Sequence, residues 1–208
     1  MPDMGYRPAI GPKQTGPYVV AGQAVVGQWA LIPDGNPGRM PIGWNGKPIS
    51  TNNCRSEGMR TKSPTFKSPW ARGQRCLIPA ADFDEPYWGS PTGKNIWWRF
   101  KRADGAPWAL AGLWNDWTDP ETGEIVHSYT MITMNADTHP VMRHMHKPDL
   151  KLAADKQDKR TVISVERHDW DQWLSGSNEH AWALIQIPRM DVIAHAPVDP
   201  KITEGLPA

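Results

Sequence analysis

Twenty-one prolines and 18 glycines, spread over 208 residues, cut this sequence into short pieces and leave few runs long enough for a sustained helical period. Proline removes a backbone donor and glycine is conformationally permissive, so each marks a boundary. Between the boundaries, residues 24–33 (AVVGQWALIP), 47–55 (KPISTNNCR), 74–83 (QRCLIPAADF), 95–102 (NIWWRFKR), 107–114 (PWALAGLW) and 126–135 (VHSYTMITMN) have the length and residue types of strands. In the last of these, Tyr129 and Met131 alternate with Ile132 and Met134, which predicts a strand buried on both faces. ADG (103–105) and DPETGE (119–124) read as hairpin turns. Helical patterning is confined to Thr65–Gly73, capped by Ser63 or Ser68, to VERHDWDQWLSG, where Trp170, Trp173 and Leu174 share a face before Gly176, and to a short piece near His180–Gln186. The predicted class is a strand-rich α+β domain with a few short helices.

A chain of this length supports one sizeable core, and 39% apolar with 22% charged residues is a globular composition. No run of eighteen apolar residues occurs, and the N-terminus MPDMGYRPAIG lacks a basic-then-apolar leader pattern, so a soluble, cytoplasmic monomer away from membranes is expected. Cys54 and Cys76 form neither a disulfide framework nor a CxxC pair, which fits a reducing compartment. No structural zinc and no cofactor are expected. The net charge of +1 hides an uneven distribution: residues 55–75 carry six basic side chains against Glu57, and residues 143–160 carry six against three aspartates. Such runs fit an anionic partner, nucleic acid first, or two solvated loops.

The stretch THPVMRHMHKPD (138–149) places His139, His144 and His146 within eight positions. His144 and His146 have a spacing that suits two ligands on one strand face, yet no third ligand stands at a familiar interval. A basic surface loop and a single acid/base histidine are the competing readings. Asn53 and Arg55, two apart at the edge of the first basic run, would face one way on a strand and grip a phosphate or sugar, or else end a polar strand. Glu85 follows an apolar run and precedes Tyr87 and Trp88, which suits general acid/base work through partial burial, or an ordinary salt bridge. Arg72 and Arg75 complete the basic run that would line a phosphate groove, and Trp29, Trp70 or Trp88 would stack bases or fill the core.

Taken in order, the pieces YRPAIGP (6–12), GQWALIP (27–33), NCR (53–55), PTFKSPWARGQRCLIPAADFDE (64–85), RADGAPWALAGLW (102–114), MITMNAD (131–137), HKP (146–148) and KRTVIS (159–164) resemble the SOS response-associated peptidase (SRAP) family, the abasic-site DNA-protein cross-linking proteins. The resemblance implies one compact α+β domain that accepts single-stranded DNA. Under it, Asn53 and Arg55 hold the DNA backbone and sugar, Glu85 transfers protons, His146 is the acid/base histidine, and Thr133 shapes the pocket; His139 and His144 need no chemical role. The family reaction uses an N-terminal cysteine, exposed by self-removal of the initiator methionine, whose amine and thiol trap the aldehyde of an abasic site as a thiazolidine.

Departures from the family pattern accompany the matches. The sequence opens MPDMGYRPAIGP where the resemblance implies Met-Cys-Gly-Arg and some thirty further residues, Pro86 follows Glu85 where an aromatic is usual, and DLKLAADKQD (149–158) separates His146 from KRTVIS as a longer surface loop. Cys54, lacking a free α-amine and facing away from Asn53 and Arg55, cannot replace the nucleophile. Three readings follow: an SRAP-type self-processing, cross-linking protein seen without its nucleophile, a non-covalent binder of single-stranded or damaged DNA, or, third in order, a phage-related or defective member with no DNA role.

Overall fold

A computed structural model describes residues 9–89, 93–153 and 156–202. Tyr6–Pro8 of the first matching piece, and Ala154 and Asp155 of the inserted loop, lie outside the described residues.

The chain opens with a hairpin of β1 (Thr15–Val20) and β2 (Gln23–Trp29). Its two-residue turn, Ala21-Gly22, has φ values of 47° and 76°, the left-handed pair that matches the twist of the flanking strands. β3 (Asn53–Arg55), β4 (Arg75–Ala80), β7 (Trp108–Thr118), β8 (Ile125–Asn135) and β9 (Arg160–Val162) join the hairpin in one sheet ordered β2-β1-β4-β7-β8-β3, with β9 also on β8. β2 pairs back onto β8 through Gln28↔Ser128 and Trp29↔Tyr129, so the sheet closes on itself. The eleven-residue β8 changes neighbours along its length: β7 and β2 flank its first part, β9 and β3 its end. Thr133 therefore lies between Arg55 and Val162 and is buried.

A second, three-stranded sheet holds β5 (Phe83–Tyr87), β6 (Ile96–Arg102) and β10 (Ile193–Pro197), with β6 in the middle. The two sheets trap one apolar cluster, in which Tyr18, Ile78, Trp108, Leu110 and Tyr129 meet Tyr87, Trp98, Phe100 and Met145. The other face of the closed sheet, through Leu77, Ala111, Leu113, Ile132 and Cys54, packs on Met59, Phe66, Trp70 and Trp173. Those four come from α1 (Ser56–Met59), α2 (Pro64–Ala71) and α3 (Trp170–Ser175), and α4 (Asn178–Ala183) adds Ala181. Period-two alternation along β4 and β7 sends neighbouring residues to opposite clusters, the physical basis for a middle layer apolar on both sides. Truncating a side chain as large and as buried as Trp108 costs about 3–5 kcal/mol.

The strand-rich α+β class and the double-sided burial of β8 are as expected from sequence. Ser63 caps α2 by accepting the Phe66 N–H at 3.3 Å. Two expectations need correction. ADG does not make a hairpin, because β6 and β7 belong to different sheets; it hands the chain from one sheet to the other, with Gly105 at φ 73°. Trp170 does not share the buried face of α3 with Trp173: it is 37% exposed and its indole N–H is tied to the Val165 carbonyl. DPETGE is a hairpin loop, closed by Asp119 N–H on the Glu124 carbonyl and Gly123 N–H on the Asp119 carbonyl.

Candidate functional site

Glu85 sits in the middle of β5, opposite Trp98. Alternation gives it the same face as Phe83 and Tyr87, which pack into the inter-sheet core, so its carboxylate is drawn to the rim of that core and only 21% of the side chain is exposed. Beyond β8 the chain makes a 3₁₀ turn over Met142–His144, anchored by the buried Met142 and Met145. Met145 bridges to Tyr87 of β5, which brings the next residue beside Glu85. His146 donates its backbone N–H to the Pro86 carbonyl at 2.6 Å, and its Nε2 lies 3.0 Å from Glu85 Oε2. The aromatic-to-proline departure is thus accommodated, because the interaction at position 86 uses the carbonyl.

His146 adopts φ 59°, a left-handed conformation that costs a non-glycine residue about 1–2 kcal/mol. Its carbonyl accepts a 2.7 Å hydrogen bond from Lys159 Nζ. Lys159 is 5% exposed and enters β9 after its own N–H binds the Asp137 carboxylate at 2.8 Å, alongside the Asp158 N–H at 3.0 Å. Burial pushes the Lys159 ammonium down, with Asp137 offsetting part of the shift. For Asp137 burial acts upward, but the hydrogen bonds from Lys159, Asn135 and Asp158 outweigh it and hold the carboxyl below its ordinary range. Beside this pair opens a cavity of about 620 Å³ lined by Trp88, Arg143, His144, His146, Leu150 and Lys159 among others. Asp149, Leu150, Leu152 and Gln157 of the inserted loop also line it, and the Gln157 amide bonds the Asp149 N–H and the carbonyls of Asp149, Leu152 and Ala153.

The other two histidines of the cluster have structural positions. His139 is 6% exposed, and its Nδ1 accepts the N–H groups of Val141 and Met142 at 3.2 and 3.1 Å, capping the 3₁₀ turn. Burial holds its pKa below the ordinary value. His144 packs edge-on against Tyr87 and accepts from Arg143 Nε at 3.1 Å. Among the described residues, no group of three or more His, Cys, Asp or Glu side chains is arranged to hold a metal ion.

Asn53 and Arg55 lie on edge strand β3, in register with Met131 and Thr133, and both are exposed while Cys54 between them points into the helix-side core. That alternation gives Asn53 and Arg55 the face of Met131, which packs on the cluster containing Tyr87 and Met145, the neighbours of Glu85 and His146. Arg55 is not bare: its Nη1 is 2.6 Å from Asp158, a residue of the inserted loop. Arg160 is spent similarly, bonding Glu57 at 2.7 and 3.0 Å and the Thr133 carbonyl at 3.1 Å.

Arg72 and Arg75 of the first basic run fall elsewhere. Arg75 departs from the expected phosphate contact: it is 3% exposed, its guanidinium donates to the Trp173 and Gly176 carbonyls and to Asn178, and it stacks over Trp70. A position inside a strand facing the helices explains this. Arg72 is partly exposed but bound to Asp34 and Asn115, and Asn115 pairs with Ser128, five positions and so about 16 Å along β8 from Thr133. Of the three tryptophans considered for base stacking, Trp70 is buried, Trp29 is partly buried with its N–H on the Asn52 carbonyl, and Trp88 lies under the Lys147 ammonium at 5.5 Å. Cys54 and Cys76 are fully buried, and burial pushes both thiols up. Sequence reasoning assigned no role to Lys159, Asp137 or Asp158: the first two stand inside the matching pieces KRTVIS and MITMNAD and the third ends the inserted loop, but their roles depend on contacts made across the fold.

Comparison with known proteins agrees with this architecture. The chain is 27% identical over 177 residues to "Abasic site processing protein HMCES" of Gallus gallus, covering 69% of this chain and 50% of that protein. It is 30% identical over 142 residues to the Xenopus tropicalis protein of the same name, covering 57% and 38%. The chain thus spans half or less of the length of these curated relatives. A crystal structure of a Bordetella bronchiseptica protein superposes with a TM-score of 0.77 at 31% identity, covering 91% of this chain and 86% of that one. Residues 3–204 match the sequence signature described as SOS response associated peptidase, and this chain belongs to that family, SRAP.

Proposed function

We propose that this chain recognises abasic sites in single-stranded DNA, with Asn53 and Arg55 gripping sugar and phosphate, Thr133 shaping the pocket, and Glu85 and His146 managing protons at the opened deoxyribose. The observation that carries the reading is the 3.0 Å contact between Glu85 and His146, a residue that also lines the cavity, together with the exposed Asn53 and Arg55 on the face of β3 that looks toward the inter-sheet cluster. The names of the chicken and frog relatives, abasic site processing proteins, support it.

The covalent form of the reaction needs a 1,2-aminothiol, as the family resemblance implies: a cysteine exposed at the mature N-terminus after the protein removes its own initiator methionine. The neutral α-amine attacks C1′ of the ring-opened sugar, the carbinolamine expels water to give an imine, and the thiol sulfur adds to the imine carbon while its proton passes to nitrogen. One water leaves and no oxidant or reductant is required. His146 would protonate the sugar ring oxygen as the ring opens, and Glu85 would take and return the proton of the amine. An imidazole hydrogen-bonded to a carboxylate is suited to this, because the proton one group releases has an acceptor within reach.

The test is a denaturing gel with an abasic oligonucleotide, comparing the 208-residue chain with a form whose mature first residue is the family cysteine. The cysteine form is expected to give a denaturant-resistant adduct, and Glu85→Gln is expected to slow removal of its initiator methionine. No adduct from that form would sink the covalent reading.

A second reading, non-covalent binding of single-stranded or damaged DNA, needs only the exposed Asn53 and Arg55 of β3 and no cysteine. Binding without any adduct from either form would select it.

A further inference from the structure

We infer that Lys159 is a positioning residue, holding His146 in the backbone conformation that aims its imidazole at Glu85. This rests on the proposed role of the Glu85–His146 pair. A lysine that is 5% exposed has given up most of the hydration its charge would have in water, and such burial calls for a specific partner. Its ammonium instead meets a backbone carbonyl, and the carbonyl is that of His146.

The same residue is held from its other side. Pro86, adjacent to Glu85 on β5, accepts the His146 N–H, and Lys159 accounts for the carbonyl. Both peptide groups flanking the His146 Cα are therefore fixed, one to the strand that bears Glu85 and one to the strand that begins at Arg160. Between those two anchors the residue stands at φ 59°, outside the conformations an L-residue adopts freely. Such a conformation persists only where its surroundings over-determine it. If the carbonyl anchor is lost, the backbone can relax toward negative φ, and the Cβ that directs the imidazole turns with it.

Lys159 is itself built in. The Asp137 carboxylate receives its N–H, and its own carbonyl accepts the Ala136 N–H at 2.7 Å, so the stem starts from a fixed point. The ammonium donates to the His146 carbonyl, so its effect passes through the His146 peptide. A residue acting this way changes where the ring sits and leaves the DNA grip of Asn53 and Arg55 alone.

The experiment uses the full chain and two readouts. The first is nitrogen NMR of the His146 imidazole without DNA, in the parent, Glu85→Gln, Lys159→Met and Lys159→Arg. Lys159→Met, which keeps the aliphatic stem but not the donor, is expected to move the ring signals in the same sense as Glu85→Gln, and Lys159→Arg to restore them at least in part. The second is the rate of adduct formation on abasic DNA at saturation, in the form carrying the family cysteine. There Lys159→Met is expected to slow the reaction about tenfold while its affinity for undamaged single strands stays within about twofold. His146 signals unchanged in Lys159→Met would overturn the inference. Should that variant not fold, Lys159→Gln, a neutral donor of shorter reach, gives the same comparison. Ring signals that move with no change in rate would support the positioning role and count instead against His146 as the proton-transfer residue, so the two failures are distinguishable.

Discussion

The Arg55 guanidinium lies 2.6 Å from the Asp158 carboxylate, with the side chains 65% and 43% exposed. The residue proposed to hold a phosphate is thus paired with a carboxylate from the inserted loop, which bound DNA would have to displace. An exposed pair of this kind contributes only about 0.2–1 kcal/mol and is weakened by salt, so the exchange is easy.

Asp158→Asn removes that competitor. Asparagine tolerates the left-handed φ of 54° at this position, so the backbone is preserved. Affinity for single-stranded DNA is expected to rise about two- to fivefold at low ionic strength and the gain to fade as salt is added. Fluorescence anisotropy across a salt series reads this directly; equal affinities at low salt would remove Arg55 from the interface.

The three clustered histidines should separate by type of damage. In the cysteine-bearing form, His146→Ala is expected to abolish the abasic-site adduct and His144→Ala to retain most of it. His139→Ala leaves two N–H groups of the 3₁₀ turn without their acceptor and should lower stability by about 1–3 kcal/mol, with the adduct retained in the folded fraction. Urea unfolding and the denaturing gel give the two readouts; loss of the adduct in all three variants alike would end the assignment to His146.

Stability should fall as pH drops below the ordinary histidine value of 6.5. Burial lowers the folded-state pKa of His139, and of His144 and His195 in the same direction. Below 6.5 the unfolded chain then binds more protons than the folded one, so protonation favours unfolding, and the loss is complete only below the lowered values. Urea midpoints at a series of pH values from neutral into the acid range are expected to decrease, and to decrease less steeply in His139→Ala. An identical slope in parent and variant would refute the assignment to His139.

Arg75→Met should unfold the protein rather than loosen DNA. Removing the guanidinium strands the Trp173 and Gly176 carbonyls and Asn178, at a cost of about 3 kcal/mol, seen as a lower melting temperature. Single-stranded DNA affinity of the folded fraction should stay within about twofold. A large loss of affinity with unchanged melting would restore Arg75 to the interface.

Much of the fold was legible because the relevant physics is local. Alternation in residues 126–135 identified a strand buried on both sides, and of the two candidate caps Ser63 and Ser68 it is Ser63 that starts α2. The hairpin of β1 and β2 escaped, since TGPYVV carries a proline and a glycine within the strand and its turn is Ala-Gly, a weak signal for a left-handed pair. The opposite error occurred at ADG, where good turn residues connect two strands that never pair.

For the site, the sequence by itself determined the residue types and the family resemblance: Asn53 and Arg55 one face apart from Cys54, a glutamate after an apolar run, and a histidine before Lys147 and Pro148. Those are matters of spacing along one chain. Tertiary structure decided which of the basic residues are available, burying Arg75 under the helices and occupying Arg55 with Asp158. It also decided which histidine meets Glu85, through Met145 bridging to Tyr87 and the Lys159 ammonium on the His146 carbonyl. Sequence spacing sets which way a side chain leaves its own strand, but burial and partner choice depend on residues brought together from 61 or 103 positions away, as Glu85 with His146 and Arg55 with Asp158, and only the closed packing of the two sheets fixes those encounters.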